Sequence, residues 1–193
     1  MNSKFMWLLP VLTIAVMIPL ASFDIPSNNE TLNAVGQGHV EVLLYDSDGN
    51  LKAKSENHNL IVGEGLQTVW DLAFPDINLN SNATDTQFDV IAIGSGNTAP
   101  TAADTGIETA ISGCARERDT TVTGGGTTSQ VWAYVSVQFS GATCADASVS
   151  EAILTNDLTG GEVLGRSVFS DINFGAADTL TVNYNVTLAD DGS

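Results

Sequence analysis

From residue 39 onward the chain is written mostly in period two. Val40, Val42 and Leu44 alternate with Glu41, Leu43 and Tyr45, the spacing by which a strand turns successive side chains to opposite faces. Asp46-Ser47-Asp48-Gly49-Asn50 follows, and a second extended run leads to Leu60-Ile61-Val62. An Asp-Gly pair between two such runs predicts a hairpin, because the tight turn needs positive φ. Gly63-Glu64-Gly65 interrupts the alternation. Leu66, Val69, Trp70, Ala73 and Phe74 then recur at helical spacing up to Pro75, which predicts one short helix.

Residues 88–93 form a short apolar run that ends in Gly94-Ser95-Gly96. Val131, Ala133, Val135, Val137 and Phe139 share one face of a further strand, with Trp132, Tyr134, Ser136 and Gln138 on the other. Residues 150–154 and 163–169 read as two more strands, separated by Asn156-Asp157 and Gly160-Gly161. The last strand alternates most cleanly: Leu180, Val182, Tyr184, Val186 and Leu188 against Thr181, Asn183, Asn185 and Thr187. Such alternation marks strands buried on one face in an antiparallel sheet. About seven or eight short strands with Gly-rich turns predict a mainly β fold. The expected architecture over residues 39–190 is an antiparallel β-sandwich, jelly-roll-like or Ig-like, with the helix capping one end.

The N-terminus follows a different pattern. Lys4 precedes an apolar run over residues 5–23, broken by Pro10, Thr13, Pro19 and Ser22. Residues 1–22 therefore read as an N-terminal hydrophobic helix that is either a secretory signal peptide or a retained membrane anchor. The signal reading comes first, and a membrane tether through residues 5–23 is its alternative. Residues 23–38, with Pro26, Ser27, Asn28 and Asn29, read as a linker or an arm exchanged between copies. Both readings of the first segment place the remainder outside the cytoplasm, secreted or at the cell surface.

Two further features bear on that compartment. Cys114 and Cys144 are the only cysteines, and a pair of thiols in an exported chain is expected to form a disulfide. Two inert buried thiols are the alternative. Three sequons, at Asn29, Asn82 and Asn185, are candidate glycosylation sites in a host with the machinery.

Charge excludes some partners. With 23 acidic and 6 basic residues the net charge is -17. Nucleic acid and anionic lipid surfaces both need clustered Lys and Arg, which this chain lacks. Yet 43% of residues are hydrophobic, so the chain is not a disordered acidic tail.

Candidate chemistry is sparse. His39 and His58 both fall on the first hairpin, no G-x-S-x-G occurs, and no short spacing links the cysteines and histidines as zinc ligands. No phosphate-binding loop is present, and no catalytic residue is assigned. A glycosidase-like carboxylate pair stays open, because acids are plentiful. Calcium has more support. Asp46, Asp48 and Asn50 offer oxygens at alternate positions, as a hard cation requires. Asp76, Asn78, Asn80 and Asp85 repeat the rhythm in an Asn-rich loop. Both loops lack the Gly and the distal Glu of an EF-hand, so a plain Asp-Gly turn and a solvated loop compete with the calcium reading. Asn82 serves as a glycan acceptor or sits in a calcium loop, not both. Arg116, Arg118 and Arg166 are half of all the cations, and their scarcity suggests that each meets carboxylates. Arg116 and Arg118 share one face of an extended segment. They form a surface ion-pair strip or an assembly strip that docks another acidic copy.

Several strings, taken in order, point to a family. Asn59-Leu60-Ile61-Val62-Gly63-Glu64-Gly65-Leu66 introduces the helix. Ile91-Ala92-Ile93-Gly94-Ser95-Gly96-Asn97-Thr98-Ala99-Pro100-Thr101 runs into Asp104-Thr105-Gly106-Ile107-Glu108-Thr109. Glu151-Ala152-Ile153-Leu154, Leu164-Gly165-Arg166-Ser167-Val168-Phe169 and the closing strand complete the set. This order resembles tail-fibre-like and minor structural proteins of tailed phages and of related prophage or archaeal elements, over roughly residues 39–188. The resemblance implies a non-enzymatic, oligomeric, β-rich module in which these strings are turn and packing residues. Family members usually lack an export signal, and often carry a further acidic residue where this chain has Ala110.

The expected function is that of a non-catalytic extracytoplasmic structural protein, self-assembling as a surface filament or coat subunit. A virion or tail-fibre-like receptor-binding protein, engaging a glycan or other receptor, is the first alternative. A secreted calcium-dependent binding module or hydrolase is the second.

Overall fold

A computed structural model describes residues 34–73, 87–114, 116–127, 130–144 and 147–190. In chain order these form β1 (Ala34–Tyr45), β2 (Leu51–Ile61), α1 (Gly63–Ala73), β3 (Val90–Gly94), β4 (Glu117–Arg118), β5 (Thr123–Gly126), β6 (Gln130–Ser140), α2 (Gly141–Cys144), β7 (Ala147–Thr155), β8 (Val163–Phe174) and β9 (Thr179–Asp190). All ladders are antiparallel, and the strands lie in the order β4-β3-β7-β8-β2-β1-β9-β6-β5.

The fold is mainly β, as the alternation predicts, but it is one curled nine-stranded sheet rather than two separate ones. The reason lies in β2. It pairs with β1 from Leu51 to Asn59, then with β8 at Leu60 and Ile61 alone. This two-residue seam carries the sheet from one half, β5-β6-β9-β1-β2, into the other, β8-β7-β3-β4. Residues of both halves belong to one core. Val40, Val42 and Leu44 of β1, Val135, Val137 and Phe139 of β6 and the inward row of β9 meet Ile91, Ile93, Ala152, Leu154, Phe169 and Phe174. Tyr184 fixes the two halves together: its buried hydroxyl donates to the Ala152 carbonyl at 2.7 Å.

The hairpin forms where Asp-Gly predicts it. Gly49 has φ of 82°, and the Asp46 carboxylate accepts the N–H groups of Asp48 and Asn50 at 2.9 and 2.8 Å. Any Cβ at position 49 forces an L-residue into the left-handed region. Gly49→Ala is expected to cost about 1–2 kcal/mol, read as a lower midpoint in urea unfolding.

One boundary differs from expectation. β1 starts at Ala34, so residues 34–38 of the expected arm belong to the sheet. Ala34 pairs with Asp190, and Gly38 stands between Asn59 and Val186. Gly36 and Gly38 occupy the inward positions there and leave no apolar signal to read. The helix lies where its periodicity predicts, Gly63–Ala73. Thr68 and Gly65 are buried, while Leu66 and Val69 stay 55% and 36% exposed. The helix packs on β8, and Glu64 accepts the N–H of Val163 at 3.1 Å. The turn α2 and the short strands β4 and β5 have too few apolar residues to announce themselves.

No helix among the described residues is long and apolar enough to cross a membrane. The signal or anchor reading of residues 1–22, and residues 23–33 of the arm, lie outside the described residues.

Candidate functional site

Residues 91–101, 104–109, 151–154 and 164–169 are far apart in sequence, and the sheet brings them to one place. Beyond β3 the chain turns back over the outer face of β3, β7 and β8. Gly94 bridges Ala110, and Ser95 donates its N–H to the Thr109 carbonyl at 2.9 Å. The loop between them is held by its own apolar anchor. Ile107 packs on Val62, Ala92, Ile153 and Val163, a small cluster on the face opposite the main core.

Beneath this loop lies Arg166 of β8, 2% exposed. Its Nε donates to Glu151 Oε2 at 2.8 Å. One terminal nitrogen, Nη1, donates to Asp104 Oδ2 at 2.9 Å and the Thr98 carbonyl at 3.2 Å. The other, Nη2, reaches Glu108 Oε2 and Glu151 Oε2, each at 2.8 Å. Four hydrogen bonds and a further ion-pair contact therefore hold the guanidinium. Arg166 and Glu151 stand on paired strands, and Arg166 lies opposite Ile153, two residues from Glu151. The loop supplies the remaining acceptors.

The carboxylates are equally committed. Glu151 is fully buried, and its Oε1 accepts the N–H groups of Thr109 at 3.0 Å and Gly96 at 3.4 Å. Glu108 Oε2 accepts the Thr98 hydroxyl at 2.7 Å and its N–H at 3.1 Å. Asp104 accepts the Thr101 hydroxyl and N–H at 2.8 and 3.0 Å. Position 96 must be glycine for this packing, since a Cβ there would stand 2.6 Å from Glu108 Oε2 and 2.7 Å from Glu151 Oε2.

The electrostatics follow from these contacts. The Thr98 hydroxyl and N–H, with Arg166 beside them, hold the Glu108 carboxyl below its ordinary value. Burial opposes ionisation of Asp104, but the two Thr101 hydrogen bonds and Arg166 outweigh it and lower its value too. Burial likewise opposes the charge on Arg166, and its bonds to Asp104 and Glu151 raise its value nonetheless. A carboxyl held ionised is a poor general acid. A guanidinium surrounded by three carboxylates of its own chain is a poor site for an anionic ligand. An open recess of about 320 Å³ lies over the cluster, lined by residues 103–108 with Thr98 and Arg166. Chemically, the arrangement clamps a loop onto a sheet.

The other candidate residues are dispersed. Asp46, Asp48 and Asn50 make the hairpin turn, with both Asp46 oxygens taken by it. Its Oδ2 accepts Asn50 Nδ2 at 3.1 Å. No group of three or more His, Cys, Asp or Glu among the described residues is arranged to hold a metal ion. Asp76, Asn78, Asn80 and Asp85, with the sequons at Asn29 and Asn82, lie outside the described residues. Asn185 is exposed on the outer face of β9. Cys114 and Cys144 form a disulfide, joining the end of the covering loop to α2.

The arginines divide. Arg118 meets Asp89 at 2.7 Å, as cation scarcity suggests. Arg116 instead donates to the carbonyls of Asp157 and Gly160, because it precedes β4 and turns toward the loop between β7 and β8. Both guanidinium groups are thus engaged within their own chain. The sequence reading missed the group of Asp104, Glu108 and Glu151 around Arg166. The available signal was the resemblance itself, whose strings hold every member of the cluster.

Comparison of the chain with protein-family models, with curated proteins and with solved structures gives no match.

Proposed function

We propose that this chain is a non-catalytic structural protein that self-associates outside the cytoplasm, as a surface filament or coat subunit. The observation that carries this reading is the seam of the sheet. β2 and β8 pair over two residues and then diverge. Residues 51–56 of β2 and 169–174 of β8 thus have no ladder partner on the sides that part, among the described residues. Unpaired edges are templates for another strand. Lys52 and Lys54 stand on the β2 edge, where lysine discourages indiscriminate pairing. Residues 24–33 precede β1 and are the nearest segment of the chain to supply such a strand to a neighbouring copy. The arm of one copy adds to the open edge of the next.

The Arg166 cluster supports the non-catalytic half of the reading, since its polar groups are spent on one another. The disulfide supports an oxidising compartment. The curled sheet is best classed with β-sandwiches, because its two halves share one core. The alternative of a virion or tail-fibre-like receptor-binding protein draws on the convergence of the resembling strings at Arg166.

Deleting residues 24–33, which spares β1, is expected to convert assemblies of the purified protein into monomers by light scattering and electron microscopy. Unchanged particle size would overturn the exchanged-arm reading. Copies this acidic repel one another. Assembly is therefore expected to strengthen as salt rises from low ionic strength.

A further inference from the structure

The chain has two histidines, His39 and His58, and the β1–β2 register sets them directly opposite each other. Both project from the outer face of the sheet, away from the core side where Gly38 and Asn59 pair. Their ring centroids are 5.9 Å apart, edge to face, with His39 half-buried and His58 exposed. Among the described residues no hydrogen bond or ion pair engages either imidazole. The contact between rings is thus the principal engagement of both.

We propose that His39 and His58 together form a binding site for a borderline divalent transition-metal ion, Cu2+ foremost, with Ni2+ and Zn2+ binding less tightly. Directly opposed residues of an antiparallel pair hold their Cβ atoms about 4.5–5.5 Å apart. From there two imidazoles converge on one ion with bonds of about 2.0–2.1 Å by small rotations about χ1 and χ2. Imidazole nitrogen selects Cu, Ni and Zn over the hard, oxygen-seeking Ca2+ and Mg2+. Copper stands highest in the general affinity order of divalent ions.

The surroundings add charge but no further bond. Glu41 lies close enough to His39 for the two to interact electrostatically. Its oxygens are already taken by Lys54 at 2.8 Å and Asn183 Nδ2 at 2.9 Å. Solvent completes the coordination. The sheet pre-sets the pair: β1 is held on both sides, by β2 and by β9, so neither backbone must move to bring the rings together. A chain of net charge -17 also raises the local concentration of cations.

The test uses the full chain, purified without a histidine tag, and titration calorimetry with Cu2+, Ni2+ and Zn2+. One equivalent of Cu2+ is expected to bind, undisturbed by excess Ca2+. Either His39→Asn or His58→Asn is expected to weaken it by more than about tenfold, since losing even an outer partner of a ligand costs that much. In NMR the ring protons of both histidines are expected to broaden first with Cu2+. Thermal melting without metal controls for the fold, and His58→Asn, at an exposed position, is expected to leave it unchanged. Equal affinity in parent and variants, or broadening centred on carboxylate-bearing residues, would overturn the site.

Discussion

Replacing Arg166 by methionine is expected to lower the free energy of unfolding by about 3–5 kcal/mol at neutral pH. That is the usual cost of removing one partner from a buried ion pair. The physical reason is Glu151, fully buried and left without its cation. Methionine fills much the same volume, so the loss reflects charge more than cavity. Lysine at this position is expected to recover only part of the stability, because a point charge cannot serve Glu151, Glu108, Asp104 and the Thr98 carbonyl at once.

The pH dependence separates this cause from a packing defect. Asp104 and Glu108 have folded values below their ordinary ones. The unfolded chain then binds more protons than the folded one near those values, so stability rises with pH there. Their contribution is complete above the unfolded carboxylate range, about 3.9–4.3. It is lost as pH falls through the lowered folded values. Arg166 supplies part of the lowering, and the threonine hydrogen bonds supply the rest. The gap between parent and Arg166→Met is therefore expected to be widest near pH 7 and to narrow below about pH 4. Urea unfolding at pH 7, 5 and 3 measures it. A gap that stays constant to pH 3 would mean that packing, not charge, sets the cost.

Removing the disulfide is the second large effect. Cys114 and Cys144 are 30 residues apart in sequence, and the chain-entropy account gives about 3–4 kcal/mol for a loop of that size. The bridge joins the covering loop to α2 at the end of β6, and Cys144 is 1% exposed. Cys114→Ser with Cys144→Ser is expected to lower the melting temperature to match that of the reduced parent. Hydrogen exchange is expected to quicken first in residues 95–114, which then lose their covalent tie to α2. Uniform quickening across β1, β6 and β9 would count against that local role.

These effects also separate what was legible in the chain from what was not. Period two located β1, β6 and β9, because each has one face on the core and a pattern that says so, while β2, β7 and β8 were legible as extended runs between turn residues. The Asp46–Asn50 turn was legible because positive φ calls for Gly49. The start of β1 was not, since Gly36 and Gly38 carry no hydropathy. Nor was the inner face of α1, where a close approach to the backbone of Leu164 suits Gly65 better than any apolar side chain. Asn59 points inward between Gly38 and Gly165 with neither amide atom partnered. No periodicity argument places a polar residue there.

The sequence by itself determined the longer strands, the hairpin, the helix and the cysteine pair, because each rests on neighbours a few residues apart or on a compartment argument. Tertiary structure alone decided that the sheet is one curled surface, since that depends on a two-residue seam between β2 and β8. It also decided that Asp104, Glu108 and Glu151 surround Arg166, and that the two histidines face each other. Charges separated by 15 to 62 residues meet only when strand register sets the distance. No local pattern encodes register between strands that far apart.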